Sequence, residues 1–152
     1  MVELALVLLP LMAIMMAIID FSMPIFLRST FTAAVREGCR YGITYQLVYN
    51  GVTYSSQTAA ITAVVQGHSM GFLTGASGAS LIHVNYYLPV SPFGQVTGVG
   101  ANSSGNIIEV TVQGFTWLSI APIWRANTPF SVSAISADRL ETLPSGQALP
   151  AP

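Results

Sequence analysis

The chain has 152 residues, of which 52% are hydrophobic and 7% charged, against roughly 25% charged in ordinary soluble domains. It has no lysine, and five arginines against six acids leave a net charge of -1. This excludes a basic nucleic-acid footprint and an acidic tail, and it gives a free monomer little colloidal protection. The length allows one membrane-type helix and one modest domain. The polar surface must come from Ser, Thr, Asn, Gln and Gly, which suits a protein covered largely by copies of itself.

Leu4 to Ile19 is sixteen residues without a polar side chain, bracketed by Glu3 and Asp20. Continued through Ser22 to Leu27, the segment is about 24 residues, or roughly 36 Å of helix, enough for a hydrocarbon core of about 30 Å. It predicts a membrane-spanning helix, or one that packs inside protein after leaving a membrane. Pro10 and Pro24 remove backbone hydrogen bonds, so a kink or opened turn is expected near each, with neighbouring helices satisfying the freed carbonyls. A signal peptide would need a basic start and an apolar core of about 7–15 residues. No basic residue precedes this run, and the run is too long. Arg28, Arg36 and Arg40 follow the span, which by the positive-inside rule would hold the rest of the chain in the cytoplasm. A short basic leader removed from in front of Met1 would resolve that conflict.

Helical character continues from Thr30 to Tyr45. Phe31, Ala34, Val35, Gly38, Cys39 and Gly42 recur at three- and four-residue spacing, and Ala34, Gly38 and Gly42 form a small-xxx-small row suited to close helix contact. Arg36, Glu37 and Arg40 take the other side, where Glu37 can relieve the like-charged pair. One long helix is predicted over residues 2–46, apolar all round in its first half and amphipathic in its second. Cys39, the sole cysteine, reads as a small buried hydrophobe, with an intermolecular disulfide as the lesser alternative.

Asn50-Gly51 signals a turn. Ser55 or Ser56 then caps a second helix from Gln57 to about Met70, with Ala60, Ile61, Val64 and Val65 as its apolar face and Gly67 and Gly71 as terminators. Residues 71–80 read as a loop. Three strands follow, over 80–88, 106–117 and 130–138. The connections 89–105 and 117–129 hold no crossover helix, so an antiparallel meander is expected. The tail 143–152, with three prolines, reads as extended or loosely packed.

Several motifs invite chemistry and lose to plainer readings. Gly67-His68-Ser69-Met70-Gly71 matches the Gly-x-Ser-x-Gly nucleophile elbow, but helix precedes it and a loop follows. The only later histidine, His83, has no acid between it and Ser69, so a helix C-terminus is the expectation. His68 and His83 with Glu109 or Asp138 lack the close spacing of a zinc motif. Asn102-Ser103-Ser104 is a weak glycosylation sequon. No catalytic, cofactor-binding or metal-binding set emerges. Glu3 and Asp20 carry more weight, because a carboxylate beside an apolar span is costly unless paired. Asp20 can simply sit at the far interface. Glu3 lies by the helix N-terminus, where it can meet the positive dipole end or the amine of an adjacent subunit and so favour one register.

The opening Val2-Glu3-Leu4-Ala5-Leu6-Val7-Leu8-Leu9-Pro10 resembles that of the TadE-like pilus proteins, relatives of type IV pilins in tight-adherence secretion systems. One extra Leu precedes the Pro here. Ile18-Ile19-Asp20-Phe21 is similar to the family's closing acidic-aromatic pair. Arg36-Glu37-Gly38-Cys39-Arg40-Tyr41 resembles its Ala-Arg-Glu-Gly-Ala-Arg-Tyr block, with Cys39 in place of Ala. The resemblance implies a leader cut by a prepilin peptidase, a wait in the inner membrane, and extrusion by an ATPase-driven machine into a filament. It also implies that the early glutamate guides docking. Here that residue is third rather than fifth, and no Gly cleavage site is visible.

The expected fold is α+β: a long N-terminal helix over 1–48, a membrane span before assembly and filament core after, then a head over 49–152 with a second helix and an antiparallel sheet of about three strands. The expected function is that of a structural subunit of an extracellular pilus-like filament, with no enzyme activity and no cofactor. Its expected partners are its own copies, the inner membrane, the prepilin peptidase and the assembly machinery. A minor pseudopilin or membrane-anchored accessory protein is the alternative. The residues expected to govern assembly are Glu3, Pro10, Asp20, Pro24, Ala34, Gly38 and Gly42.

Overall fold

The computed structural model describes residues 2–119, 129–143 and 147–152, with the side chains of Val2 and Ala5 left aside. Helix α1 spans Val2–Ile43, forty-two residues that run without interruption through Pro10 and Pro24. It stops because Tyr45 takes a left-handed backbone (φ 55°) and its N–H turns back to the carbonyl of Gly42. Asn50 and Gly51, both at positive φ, close the small hairpin of β1 (Val48–Tyr49) and β2 (Val52–Thr53).

Helix α2 runs Gln57–His68, and the Ser56 hydroxyl caps it by accepting from the Ala59 N–H at 3.2 Å. The loop expected over 71–80 contains a short helix, α3, over Gly75–Ala79. The head sheet has four antiparallel strands in the order β4-β3-β5-β6, formed by Ile82–Tyr87 (β3), Gln95–Val96 (β4), Ile107–Trp117 (β5) and Phe130–Arg139 (β6). The three predicted strands are there as a meander. The fourth, only two residues long, lies within the predicted long loop and pairs Tyr86 with Val96.

Alternation along β5 turns Ile108, Val110 and Val112 inward. The register then shifts between Val112 and Phe115, where Gly114 adopts φ 79°. This bulge resets the alternation so that Phe115 faces inward and meets Phe31 edge-on at 5.0 Å. The core is one cluster in which Leu27, Phe31, Ala34, Val35 and Cys39 of α1 pack on Ile61 and Val65 of α2 and on the inner sheet face. The part of α1 from Leu27 onward therefore belongs to the core of the head.

A buried amide network closes the head. Gln57 donates Nε2–H to the Gly42 carbonyl at 2.6 Å and accepts from Asn102 Nδ2 at 2.6 Å and, more weakly, from the Tyr86 hydroxyl at 3.4 Å. Asn102 also donates to the Pro150 carbonyl, and the Gln57 N–H donates to that of Ala151. The end of the tail, expected to be extended or loosely packed, is thus tied to the start of α2. Of the segments named from the sequence, 120–128 with Trp124 and 144–146 with Pro144 lie outside the described residues.

Candidate assembly surface

From Leu4 to Ile19, twelve large apolar side chains stand exposed on all sides of α1, Leu4 at 73% and Ile18 at 64%. Exposed apolar patches beyond a few hundred Å² mark interaction surfaces. Burying these side chains would contribute on the order of 10–20 kcal/mol. Water cannot be their working environment. The helix is long and apolar enough to cross a membrane.

Glu3 is exposed in the first turn of this helix, as the sequence predicts. Pro10 is exposed within the apolar stretch, and Pro24 is half-buried where the head begins. Asp20 is different. It is 4% exposed, and its Oδ2 accepts a 2.6 Å hydrogen bond from the hydroxyl of Ser119, just past the end of β5. Beside it Phe21 meets Phe130, the first residue of β6, edge-on at 5.9 Å. The described ends of β5 and β6 reach down α1 to this point, so Asp20 is covered by its own chain rather than open at an interface.

Ala34, Gly38 and Gly42 are buried, but against the chain's own head. A Cβ on Gly38 would stand 2.5 Å from Val65 Cγ2, and one on Gly42 2.7 Å from Ile108 Cδ1 and 2.9 Å from Ile61 Cδ1. Within the chain, Gly38 thus packs against α2, and Gly42 against α2 and β5. Arg36 and Arg40 are exposed, and Arg40 reaches Glu37 only at 4.0 Å, a contact of little energetic weight. Tyr41 packs edge-on to Tyr49 at 6.3 Å, and burial pushes its hydroxyl pKa up. Burial likewise pushes the Cys39 thiol up, and at 2% exposure Cys39 is the small core hydrophobe expected, closed to an intermolecular disulfide in the folded chain.

The motifs set aside from the sequence are structural. Ser69 is fully buried as the C-cap of α2, donating to the Gln66 carbonyl at 2.7 Å and accepting from the Leu73 N–H at 3.2 Å. Its hydroxyl has no access to a substrate. Asn102 of the sequon is also fully buried, inside the amide network. Among the described residues, no three or more His, Cys, Asp or Glu side chains come together. Glu109 lies on the outer sheet face, accepting from Tyr87 at 3.2 Å and from Asn85 at 3.5 Å, a surface network far from a nucleophile.

Sequence reasoning missed Ser119 and Phe130. The available signal was the set of large apolar residues, Trp117, Leu118 and Phe130, that flank the connection 117–129.

The family model described as TadE-like protein matches residues 1–40. Over that segment the chain is similar to the TadE-like proteins. The matched segment is the exposed apolar half of α1 together with the first turns that enter the head, and it holds Glu3, Asp20 and the Arg36–Arg40 block. That similarity suggests a connection to the tight-adherence pilus system. The head beyond Arg40 lies outside the match, and no curated protein or solved structure matches the chain.

Proposed function

We propose that this protein is a structural subunit of a type IV pilus-like extracellular filament, polymerising through the apolar half of α1. The observation that carries this reading is the run Leu4–Ile19, exposed all round on a helix whose continuation is the core of the head. Such a helix can serve as a membrane anchor and then as filament core, because lipid and packed helices are both apolar surroundings for it. Before assembly the subunit sits in the bacterial inner membrane. A prepilin peptidase and an extrusion machine are its partners, and the head remains outside the bundle of helices. Glu3, near the N-terminus of each helix, sets the register by pairing with an adjacent subunit.

Reconstitution with this polypeptide alone tests the proposal. Filaments containing only this chain support the subunit reading. If the chain enters filaments only beside a different pilin, or stays as single copies in the membrane, it is instead a minor pseudopilin or accessory anchor.

A further inference from the structure

Helices α1 and α2 pack on one face of the head sheet, and the other face stays open at His83, Gln95, Gln113 and Ile135, all exposed. On that open face the register sets Tyr87 beside Ile107 and Asn85 beside Glu109. Tyr87, Ile107 and Glu109, with the exposed Phe93, line a cleft of about 360 Å³. The Tyr87 hydroxyl and the Asn85 amide both donate to Glu109 Oε1, at 3.2 and 3.5 Å. Gln95 steadies Asn85 by donating to its Oδ1 at 3.1 Å. Both bonds to the carboxylate fall on one oxygen, so Oε2 can accept from outside. Arg139, across from Ile107 on β6, is turned elsewhere, its Nε donating to the Gly105 carbonyl at 2.9 Å. Glu109 therefore has no ion pair among the described residues. A carboxylate held by neutral donors beside aromatic rings is a receptor for a cation.

The chain has no lysine, so the side-chain cation its copies offer one another is arginine. Arginine suits this cleft, because its guanidinium forks onto a carboxylate and stacks on aromatic rings. Arg28, Arg36 and Arg40 are exposed along α1, on the other side of the sheet from the cleft. Arg40 leans to Glu37 at 4.0 Å, and Arg28 borders a groove against Ser131 and Ser133 of its own β6. Arg36 has no ion pair among the described residues, and its groove is lined by α1 alone, over Ser29, Thr32 and Ala33. We propose that Arg36 of one copy enters the Glu109 cleft of the next, so that the open sheet face of each head packs on the α1 flank of its neighbour. Charge complementarity selects a second copy as the occupant. Ile108 reaches Gly42, which sets Glu109 at about the level of that residue. Arg36 lies six residues lower, about 9 Å along the helix. Two different patches meet with an axial offset, so the contact propagates as a helix instead of closing a ring. This rests on the reading of the chain as a filament subunit and gives the head a partner.

The test is filament reconstitution of the full chain with charge reversals. Arg36→Glu and Glu109→Arg should each cut the yield of sedimentable filaments by about tenfold, because like charges then face each other across the contact. The solubilised variants should keep the melting temperature of the unaltered chain. Combining both reversals should restore the yield to within about twofold. Unchanged yields from both single reversals overturn the inference and leave the subunit reading intact, the cleft then facing solvent or another partner. A loss that the double reversal does not restore overturns the pairing, as does a loss from Glu109→Arg that Arg28→Glu or Arg40→Glu restores in place of Arg36→Glu. If the unaltered chain forms no filaments, the inference and the subunit reading fall together. Should a reversal lower the melting temperature, Arg36→Gln and Glu109→Gln repeat the reading. Together these two should lose no more yield than either alone, and additive losses would overturn the pairing.

Discussion

Replacing Gly38 by Ala distinguishes two uses of the small-residue row by the sign of its effect. On an open helix face the change stabilises, because Ala exceeds Gly in helix propensity by about 1 kcal/mol. At Gly38 the new methyl would stand 2.5 Å from Val65 Cγ2 and 3.4 Å from Ile61 Cγ2. The first distance is about 1 Å short of ordinary contact. Val65 is fully buried and β-branched, so it cannot swing aside and α2 must move instead. Overpacking of this kind costs about 1–3 kcal/mol, which exceeds the propensity gain and leaves a net loss of roughly 1 kcal/mol. For a domain of this size that lowers the melting temperature by roughly 2–6 °C. Gly42→Ala should cost less, since its contacts are the flexible Cδ1 ends of Ile61 and Ile108. Circular-dichroism melts of the detergent-solubilised chain give the answer. A melting temperature that rises in Gly38→Ala would refute the packing of this row inside the head and return it to contact between subunits.

Three further outcomes follow from the buried groups. Asn102→Ala strips a hydrogen bond from Gln57 Oε1 and another from the Pro150 carbonyl, so denaturant melts should show a loss of about 1–3 kcal/mol. Mass spectrometry of the native protein should find no glycan at Asn102, since a buried amide is closed to the transferase. Stability should fall at alkaline pH. Burial raises the folded pKa of Cys39, Tyr45 and Tyr86, so their contribution is complete below the unfolded values of about 8.5 and 10 and is lost as pH climbs through the folded ones. Melting temperatures between pH 8 and 11 check this, and Tyr86→Phe should flatten the upper part of the decline.

What the sequence revealed and what it hid divide along the range of the interactions. Helix α1, the Ser56 cap and the three long strands follow from local periodicity and capping chemistry, and each lies close to its expected bounds. Helix α3 was illegible because Gly75-Ala76-Ser77-Gly78-Ala79 has the composition of a loop. Tertiary packing makes it a helix: Gly78 lies so close to the Leu73 backbone that any Cβ would collide with it. Strand β4 has two residues and no pattern of its own. The tail looked loose because its anchors, Gln57 and Asn102, are distant in sequence. The residues proposed for assembly divide the same way. Glu3 and the apolar run show their exposure in sequence alone. The roof over Asp20 comes from Ser119, ninety-nine residues further along, and no local pattern reports that pairing. The row Ala34, Gly38 and Gly42 announced a close contact without naming its partner.

The two carboxylates that bracket the apolar run are therefore unequal. Leaving a bilayer for a bundle of helices exchanges one apolar neighbour for another, so leucines and isoleucines contribute little to the choice of register. That choice falls to polar groups whose surroundings change on assembly. Asp20 is enclosed by its own chain, with Ser119 at 2.6 Å, and takes the same contact wherever the subunit goes. Glu3 is exposed and has no ion pair among the described residues, so a neighbouring subunit can supply one. Glu3→Ala should then lower the yield of sheared filaments while leaving the melting temperature of the head unchanged. Asp20→Asn keeps the shape and a hydrogen-bonding oxygen toward Ser119, so it should lower the melting temperature slightly and leave the yield of correctly folded chain intact as filament. The reverse pattern, normal filaments from Glu3→Ala and none from a well-folded Asp20→Asn, would move the register-setting group from the first turn of α1 to the roofed carboxylate.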